Sequence, residues 1–386
     1  MTVFRGPRFG ALSSASFFGH YHFYLVGFII ATFLATFVSD ITLGWIISGA
    51  SILSAASLGI FPRIFTRFGT RHVLVTLGFL QIVTLLMLAY ADSAPVAAIL
   101  FALEGILAYN MFLGLDLLLE AQSLDEMTGR LRGMFLVVAN TSVLVATLSL
   151  SLILYDDNFE DVFLIGAAFL IPFVLLTIFL PKISNLTTGI RSSFMSGIRD
   201  LIGRPSVVPV TIAHFLVLLF FTWEIFYLPL YLHQHVGLSW EIISLLLSLG
   251  VVPYILFEYP LGKIADKYLG EKELTIGGFV ILAVATAAFS FIENNQVVLW
   301  AALIFIANIG GAAIEVMTEA HFFKRISILD TGAIGLFRML RPLAAIVGPA
   351  VASLALFFIP FPMLFVVFGG IILLGIPISL KIKDTR

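Results

Sequence analysis

The 386-residue chain contains no cysteine, so disulfides and thiolate metal sites are excluded and redox chemistry says nothing of its compartment. Charge is scarce as well. Only 11% of the residues are Asp, Glu, Lys or Arg, against about a quarter in an ordinary soluble domain. With a net charge of −2, the chain has no basic excess of the kind that nucleic-acid binding uses, and no nucleic-acid partner is expected. It has no Walker loop for ATP, no His-Glu-x-x-His and no Gly-x-Ser-x-Gly. Almost nothing lies outside the apolar runs in which a soluble active site could be built. An enzyme is therefore not expected, nor a cofactor or a metal site.

Apolar side chains dominate instead. They make up 60% of the chain, Phe alone occurs 38 times, and mean hydropathy is +1.09. One water-facing globule cannot hide that much apolar surface, so lipid is the expected solvent. A spanning helix needs about 20 mostly apolar residues. Twelve runs qualify, near 15–38, 42–62, 72–91, 95–118, 133–155, 162–181, 207–231, 239–261, 274–292, 296–319, 331–358 and 360–380. The first is longer than a signal-peptide core and reads as a retained transmembrane helix. The division expected is 1–181 as an N-terminal six-helix bundle, 182–206 as a cytoplasmic linker with one amphipathic turn, and 207–386 as a second bundle.

Threading twelve spans from a cytoplasmic amino terminus places all 21 Lys and Arg residues in cytoplasmic connections or at cytoplasmic helix ends. The opposite loops carry acids such as Asp40, Asp92, Glu160 and Asp161, and no Lys or Arg. Both termini are expected in the cytoplasm of a multi-pass plasma (inner) membrane protein.

A loop pattern occurs twice at a spacing of about 200 residues. The first copy runs Pro62-Arg63-Ile64-Phe65-Thr66-Arg67-Phe68-Gly69-Thr70-Arg71. The second runs Gly262-Lys263-Ile264-Ala265-Asp266-Lys267-Tyr268-Leu269-Gly270-Glu271-Lys272. The acid pairs Asp116/Glu120 and Glu315/Glu319 repeat at the same spacing. Duplicated membrane units commonly form transporters.

Six plus six helices, a long middle loop and the repeated connection resemble the major facilitator superfamily, over essentially the whole chain. The family loop reads Gly-x-x-x-Asp-Arg/Lys-x-Gly-Arg/Lys-Arg/Lys. The second copy follows it through Gly262, Asp266, Lys267, Gly270 and Lys272, with one extra residue before Gly270. The first keeps Arg67, Gly69 and Arg71 but has Thr66 for the acid and Pro62 for the first glycine. The resemblance implies an all-α, twelve-helix membrane fold of two pseudo-symmetric bundles and a secondary active transporter working by alternating access. The solute site would lie between the halves near the midplane, and the loop residues would form a cytoplasmic gate with Arg338. A Gly-Pro pattern in the fifth helix marks drug/proton antiporters of the family; here it stands in the eleventh, at Gly348-Pro349.

A helix-end glycine is expected to admit a neighbouring helix closely. Acids at mid-membrane depth are costly and usually functional. Glu104 and Glu224 are the candidates for proton carriage or solute contact, against the alternative of neutral carboxyls that fix packing. His20, His22, His214, Asn110 and Asn308 are supporting candidates. The two histidines at 20 and 22 point to different helix faces and cannot share one metal. Asp116, Glu120, Glu315 and Glu319 place like charges one helical turn apart and call for basic partners.

The expectation is proton-coupled movement of a small organic solute by a monomer in lipid. Drug or amphipathic efflux and sugar or metabolite import both stay open, as do a non-transporting receptor and a lipid-handling protein.

Overall fold

A computed structural model of the chain describes residues 7–122, 128–154, 158–180, 203–292, 296–326 and 331–383. Among these residues every regular element is helical. The α-helices are α1 Pro7–Ala35, α2 Asp40–Leu58, α3 Phe61–Phe68, α4 Thr70–Ala89, α5 Ala94–Gln122, α6 Thr128–Ile153 and α7 Phe159–Ile178. They continue as α8 Val208–Leu230, α9 Trp240–Ile264, α10 Glu271–Ala288, α11 Val297–Arg325, α12 Thr331–Leu356, α13 Leu364–Leu373 and α14 Gly375–Ser379. Hydrocarbon offers no partner for backbone N–H and C=O groups, so spanning segments satisfy them internally as helix.

Eleven of the described helical segments are long and apolar enough to cross a membrane. The remaining crossing is α6, whose apolar stretch, Val137–Ile153, is shorter. The protein is thus an all-α, multi-pass membrane protein of the twelve-helix kind. Two runs differ from expectation. The second ends at Leu58, turns at Gly59 and Ile60, and restarts as α3 with Pro62 in the first turn, where its missing N–H costs nothing. The last is split after Leu373, because the ring of Pro377 clashes with the carbonyl four residues back. The linker positions 182–202, including the expected amphipathic turn, lie outside the described residues.

The described residues fall into two compact units. One takes Met1–Ser39, Gly49–Thr187 and Ser239–Leu245. Within it, α1 packs on α5, α6 and α7, and α4 packs on α5 and α7. The start of α7 is capped by Asn158, which accepts from Glu160 N at 3.2 Å, and Glu160 and Asp161 complement the helix dipole.

The other unit takes Asp40–Ser48, Thr188–Leu238 and Leu246–Arg386. Within it, α8 packs on α11, α12 and α14, and α10 packs on α11 and α13. These pairings mirror those of the first unit, as a duplicated fold requires. Ser353 Oγ on α12 donates to Ile41 O at 2.7 Å and Ser48 Oγ donates to Ile346 O at 2.8 Å, binding the start of α2 into this unit. The backbones of α10 and α11 touch at a glycine pair. A Cβ on Gly278 would lie 2.9 Å from Gly310 O, and one on Gly310 would lie 2.7 Å from Gly278 O.

Candidate functional site

Helices α1, α4 and α5 bring three polar side chains together inside apolar packing. His22, Gln81 and Glu104 are 0%, 0% and 3% exposed, respectively. His22 Nε2 lies 3.3 Å from Glu104 Oε1. Gln81 Nε2 lies 3.2 Å from His22 Nε2, 3.1 Å from Glu104 Oε1 and 3.3 Å from the Glu104 backbone oxygen. The other ring nitrogen, His22 Nδ1, is 3.2 Å from Gly19 O. A carbonyl only accepts, so Nδ1 carries the hydrogen in that contact and Nε2 faces the cluster with a lone pair.

The donor count is then informative. The Gln81 amide nitrogen has two hydrogens and faces three acceptors: His22 Nε2, Glu104 Oε1 and Glu104 O. Without a further proton, two lone pairs face each other between His22 and Glu104. One added proton between them makes three donors for three acceptors. Because the atom beside Glu104 O must be a donor, the amide orientation is fixed, and Gln81 Oε1 points away without a hydrogen-bond partner.

A second cluster joins α8, α9 and α11. Asn308 Nδ2 donates to Glu224 Oε1 at 2.5 Å and to Ile304 O at 3.0 Å. Tyr254 Oη donates to Asn308 Oδ1 at 3.0 Å. Asn308 is buried, whereas Glu224 and Tyr254 are half-buried. Two glycines clear the space: a Cβ on Gly250 would lie 3.0 Å from Asn308 Nδ2, and one on Gly311 would collide with Tyr254 Oη.

The other membrane candidates are held by packing contacts. Asn110 Nδ2 donates to Ser57 Oγ at 2.6 Å and to Ile106 O at 2.7 Å, joining α5 to α2. His214 Nδ1 lies 2.9 Å from Thr318 Oγ1, and its ring stacks on Phe337 at 4.3 Å. Because the Thr318 hydroxyl donates to Ile314 O at 2.7 Å, His214 Nδ1 is the donor between the two side chains. His20 packs on Phe112 with ring centroids 4.4 Å apart, on another face of α1 from His22. Among the described residues no three His, Asp or Glu side chains form a metal-binding group.

At the charged helix ends, Arg341 Nη2 lies 3.6 Å from Glu315 Oε1, and Lys324 Nζ lies 2.8 Å from the buried Glu271 Oε1. Asp116 and Glu319 are half-buried. The side chain of Glu120 lies outside the described residues.

The repeated connection has the same backbone signature in both copies. Gly69 has φ 82° and ψ 138°, Gly270 has φ 92° and ψ 166°, and a helix restarts at the next residue. That region is open essentially to glycine alone. In the first copy Gly69 N donates four residues back, to Phe65 O at 2.9 Å. In the second, Gly270 N donates five residues back, to Ala265 O at 3.1 Å, across the π-turn Ala265–Leu269. The extra residue of the second copy is taken up there.

Not every motif position behaves as expected. A Cβ on Gly262 would meet nothing within 4 Å, so close helix approach does not account for that glycine. The Thr66 hydroxyl donates to Arg63 O of its own helix at 2.9 Å. Arg67 lies over the Phe68 ring at 5.3 Å, and Arg71 Nη1 donates to Ile178 O at 3.3 Å. Lys272 is half-buried and Arg338 is exposed. The side chains of Asp266 and Lys267, the expected centre of the gate, lie outside the described residues.

Residues 12–318 and 210–385 match the family model of the Major Facilitator Superfamily, which covers nearly the whole chain. The chain belongs to that superfamily. A mutant of the nucleoside transporter NupG superposes with a TM-score of 0.77 at 16% identity, covering 97% of this chain and all of that one (100%). The D-xylose-proton symporter gives 0.77 at 16%, covering 98% of each chain. A bacterial homologue of the human lysosomal transporter Spinster, in an inward-facing and unoccupied conformation, gives 0.72 at 12%, covering 99% of this chain and 94% of that one. At such identities these likenesses establish the fold alone. No curated protein matches the sequence.

In this superfamily member, Gln81 and Tyr254 are the members of the two candidate clusters that reading the sequence missed. Gln81 had a visible signal, being the one amide within the run 72–91 and lying near its middle. Tyr254 had none, since a tyrosine in an apolar run is usually a packing residue.

Proposed function

We propose that the chain is a secondary active transporter. It carries a small organic solute across the plasma (inner) membrane by alternating access, coupled to protons, as a monomer with both termini in the cytoplasm. Transport rather than chemistry is supported by membership of the superfamily. The basic-residue bias supports the orientation. The domain division at 182–206 follows from the duplicated pattern.

The observation that carries proton coupling is the donor count at His22, Gln81 and Glu104. That cluster is complete only with one proton between His22 Nε2 and Glu104 Oε1. It is buried within helix packing, away from direct solute contact. Glu224, by contrast, is half-buried, and we assign it to solute contact. The two acids therefore divide the work: Glu104 and His22 hold the proton, while Glu224, held by Asn308, meets the solute.

The test is uptake in proteoliposomes with an imposed pH gradient, using labelled pentoses, ribonucleosides and alkylamines. Glu104→Gln should abolish gradient-driven accumulation while leaving solute exchange at zero gradient. Unchanged accumulation in Glu104→Gln would remove the coupling assignment. Uptake that ignores the gradient in the wild type would remove proton coupling altogether.

A further inference from the structure

We infer that Glu224 and Tyr254, both held by the buried Asn308, recognise hydrogen-bond donors supplied by the solute, its hydroxyl or amino groups, and discriminate against anionic solutes. The inference rests on the solute role proposed above for Glu224 and deepens it.

The argument is an inventory of what the cluster has left to offer. Asn308 Nδ2 has two hydrogens, and both are spent, on Glu224 Oε1 and Ile304 O. The Tyr254 hydroxyl has one, spent on Asn308 Oδ1. Glu224 as a carboxylate has none. What remains outward is the second carboxylate oxygen of Glu224 and the lone pairs of Tyr254 Oη, all acceptors. A carboxylate or phosphate brought here would meet acceptors only. A hydroxyl, amine or ammonium group would meet partners for each of its hydrogens.

Three further observations point to a ligand here, beyond the presence of an acid. First, Glu224 and Tyr254 keep partial exposure while Asn308 behind them is buried, so the polar face is open on one side. A carboxylate opening onto hydrocarbon is costly, so that side faces a polar space. Second, among the described residues no Lys or Arg pairs with Glu224; Arg341, which reaches the same helix α11, is paired with Glu315 two turns away. Third, the cluster is built into the backbone: Gly250 and Gly311 are empty where a Cβ would press on Asn308 and Tyr254. Phe221 stands edge-on to Tyr254 at 5.7 Å and offers an apolar wall beside the acceptors. The geometry therefore fits a solute with donors on one side and an apolar or ring surface next to them.

The test uses purified full-length protein and matched pairs of solutes that differ by an anionic group. The pairs are a pentose and its pentonate, a ribonucleoside and its 5′-monophosphate, and an alkylamine and the carboxylate of equal chain length. Binding is read as a rise in melting temperature with concentration. The donor-bearing member of at least one pair should stabilise the protein, with its anionic partner at least tenfold weaker. Glu224→Gln, which places N–H groups where only acceptors stood, should weaken that binding at least tenfold, and Tyr254→Phe should weaken it as well. Either variant serves if the other fails to fold. The inference is overturned if the anionic members bind as well or better, if no pair stabilises the protein, or if both variants bind the donor solute unchanged.

The transport reading fails separately. A donor solute that binds as described but is never carried in proteoliposomes removes transport and leaves this site standing. An anionic solute carried under the gradient does the reverse.

Discussion

His22 Nε2 and Glu104 Oε1 stand 3.3 Å apart, buried, on helices that are neighbours only in space. The amide of Gln81 touches both. Replacing Gln81 by Leu removes both donors and leaves Glu104 O and Oε1 short of partners. Gradient-driven uptake should fall at least tenfold in Gln81→Leu, while exchange at zero gradient persists. Gln81→Leu accumulating solute at the wild-type level would show that the amide plays no part in holding the proton.

Glycines 278 and 310 let two helices touch backbone to backbone. Gly310→Ala would push a methyl against Gly278 O and against Leu282 N, 2.8 Å away. Overpacking of this kind costs about 1–3 kcal/mol. A Cβ at Gly277, one position from Gly278, would meet nothing within 4 Å. Thermal unfolding in detergent should therefore separate Gly278→Ala and Gly310→Ala, both destabilised, from Gly277→Ala, near wild type.

Within the repeated loop, the glycines at 69 and 270 hold a positive φ and the one at 262 does not. Gly69→Ala and Gly270→Ala force a Cβ into a backbone region that costs about 1–3 kcal/mol. Gly262→Ala faces open space and should leave stability within about 0.5 kcal/mol, as should the exposed Thr66→Ala. Equal losses at 69 and 262 in a denaturation series would contradict this ordering.

Lys324 and Glu271 tie the end of α11 to the start of α10 at 2.8 Å. The carboxylate side chain is 4% exposed and the lysine side chain 43% exposed, so the pair is partly screened. Lys324→Ala should still destabilise by about 1–3 kcal/mol, because it takes an ion pair from a buried carboxylate. The double variant Lys324→Ala/Glu271→Ala should recover part of that loss. A double-mutant cycle on melting curves measures the coupling.

The spanning helices and the duplication were legible in the sequence because both are written in local composition. Apolar runs mark which residues span, and the repeated loops mark the two copies. The helix pairings of the two units mirror each other as the repeated loops and acid pairs imply. The polar clusters were legible only in part. Glu104, His22, Glu224 and Asn308 were visible as polar residues in apolar runs, but not as partners. A partner in a helix bundle is set by the rotation of each helix about its axis, and single-sequence patterns in uniformly apolar spans carry little of that phase. Asn308 therefore found Glu224, 84 positions away. Asn110, a residue of the same type, turned to Ser57 and its own helix.

The π-turn at Ala265–Leu269 has a consequence for how the two copies could diverge. A residue inserted into an α-helix turns every later side chain by about 100° around the axis. The wider hydrogen-bonded ring absorbs that residue before Gly270, and the glycine then starts a new axis. Chain length and helix phase are uncoupled there. The second copy is one residue longer than the first, yet α10 presents its small-residue face to α11.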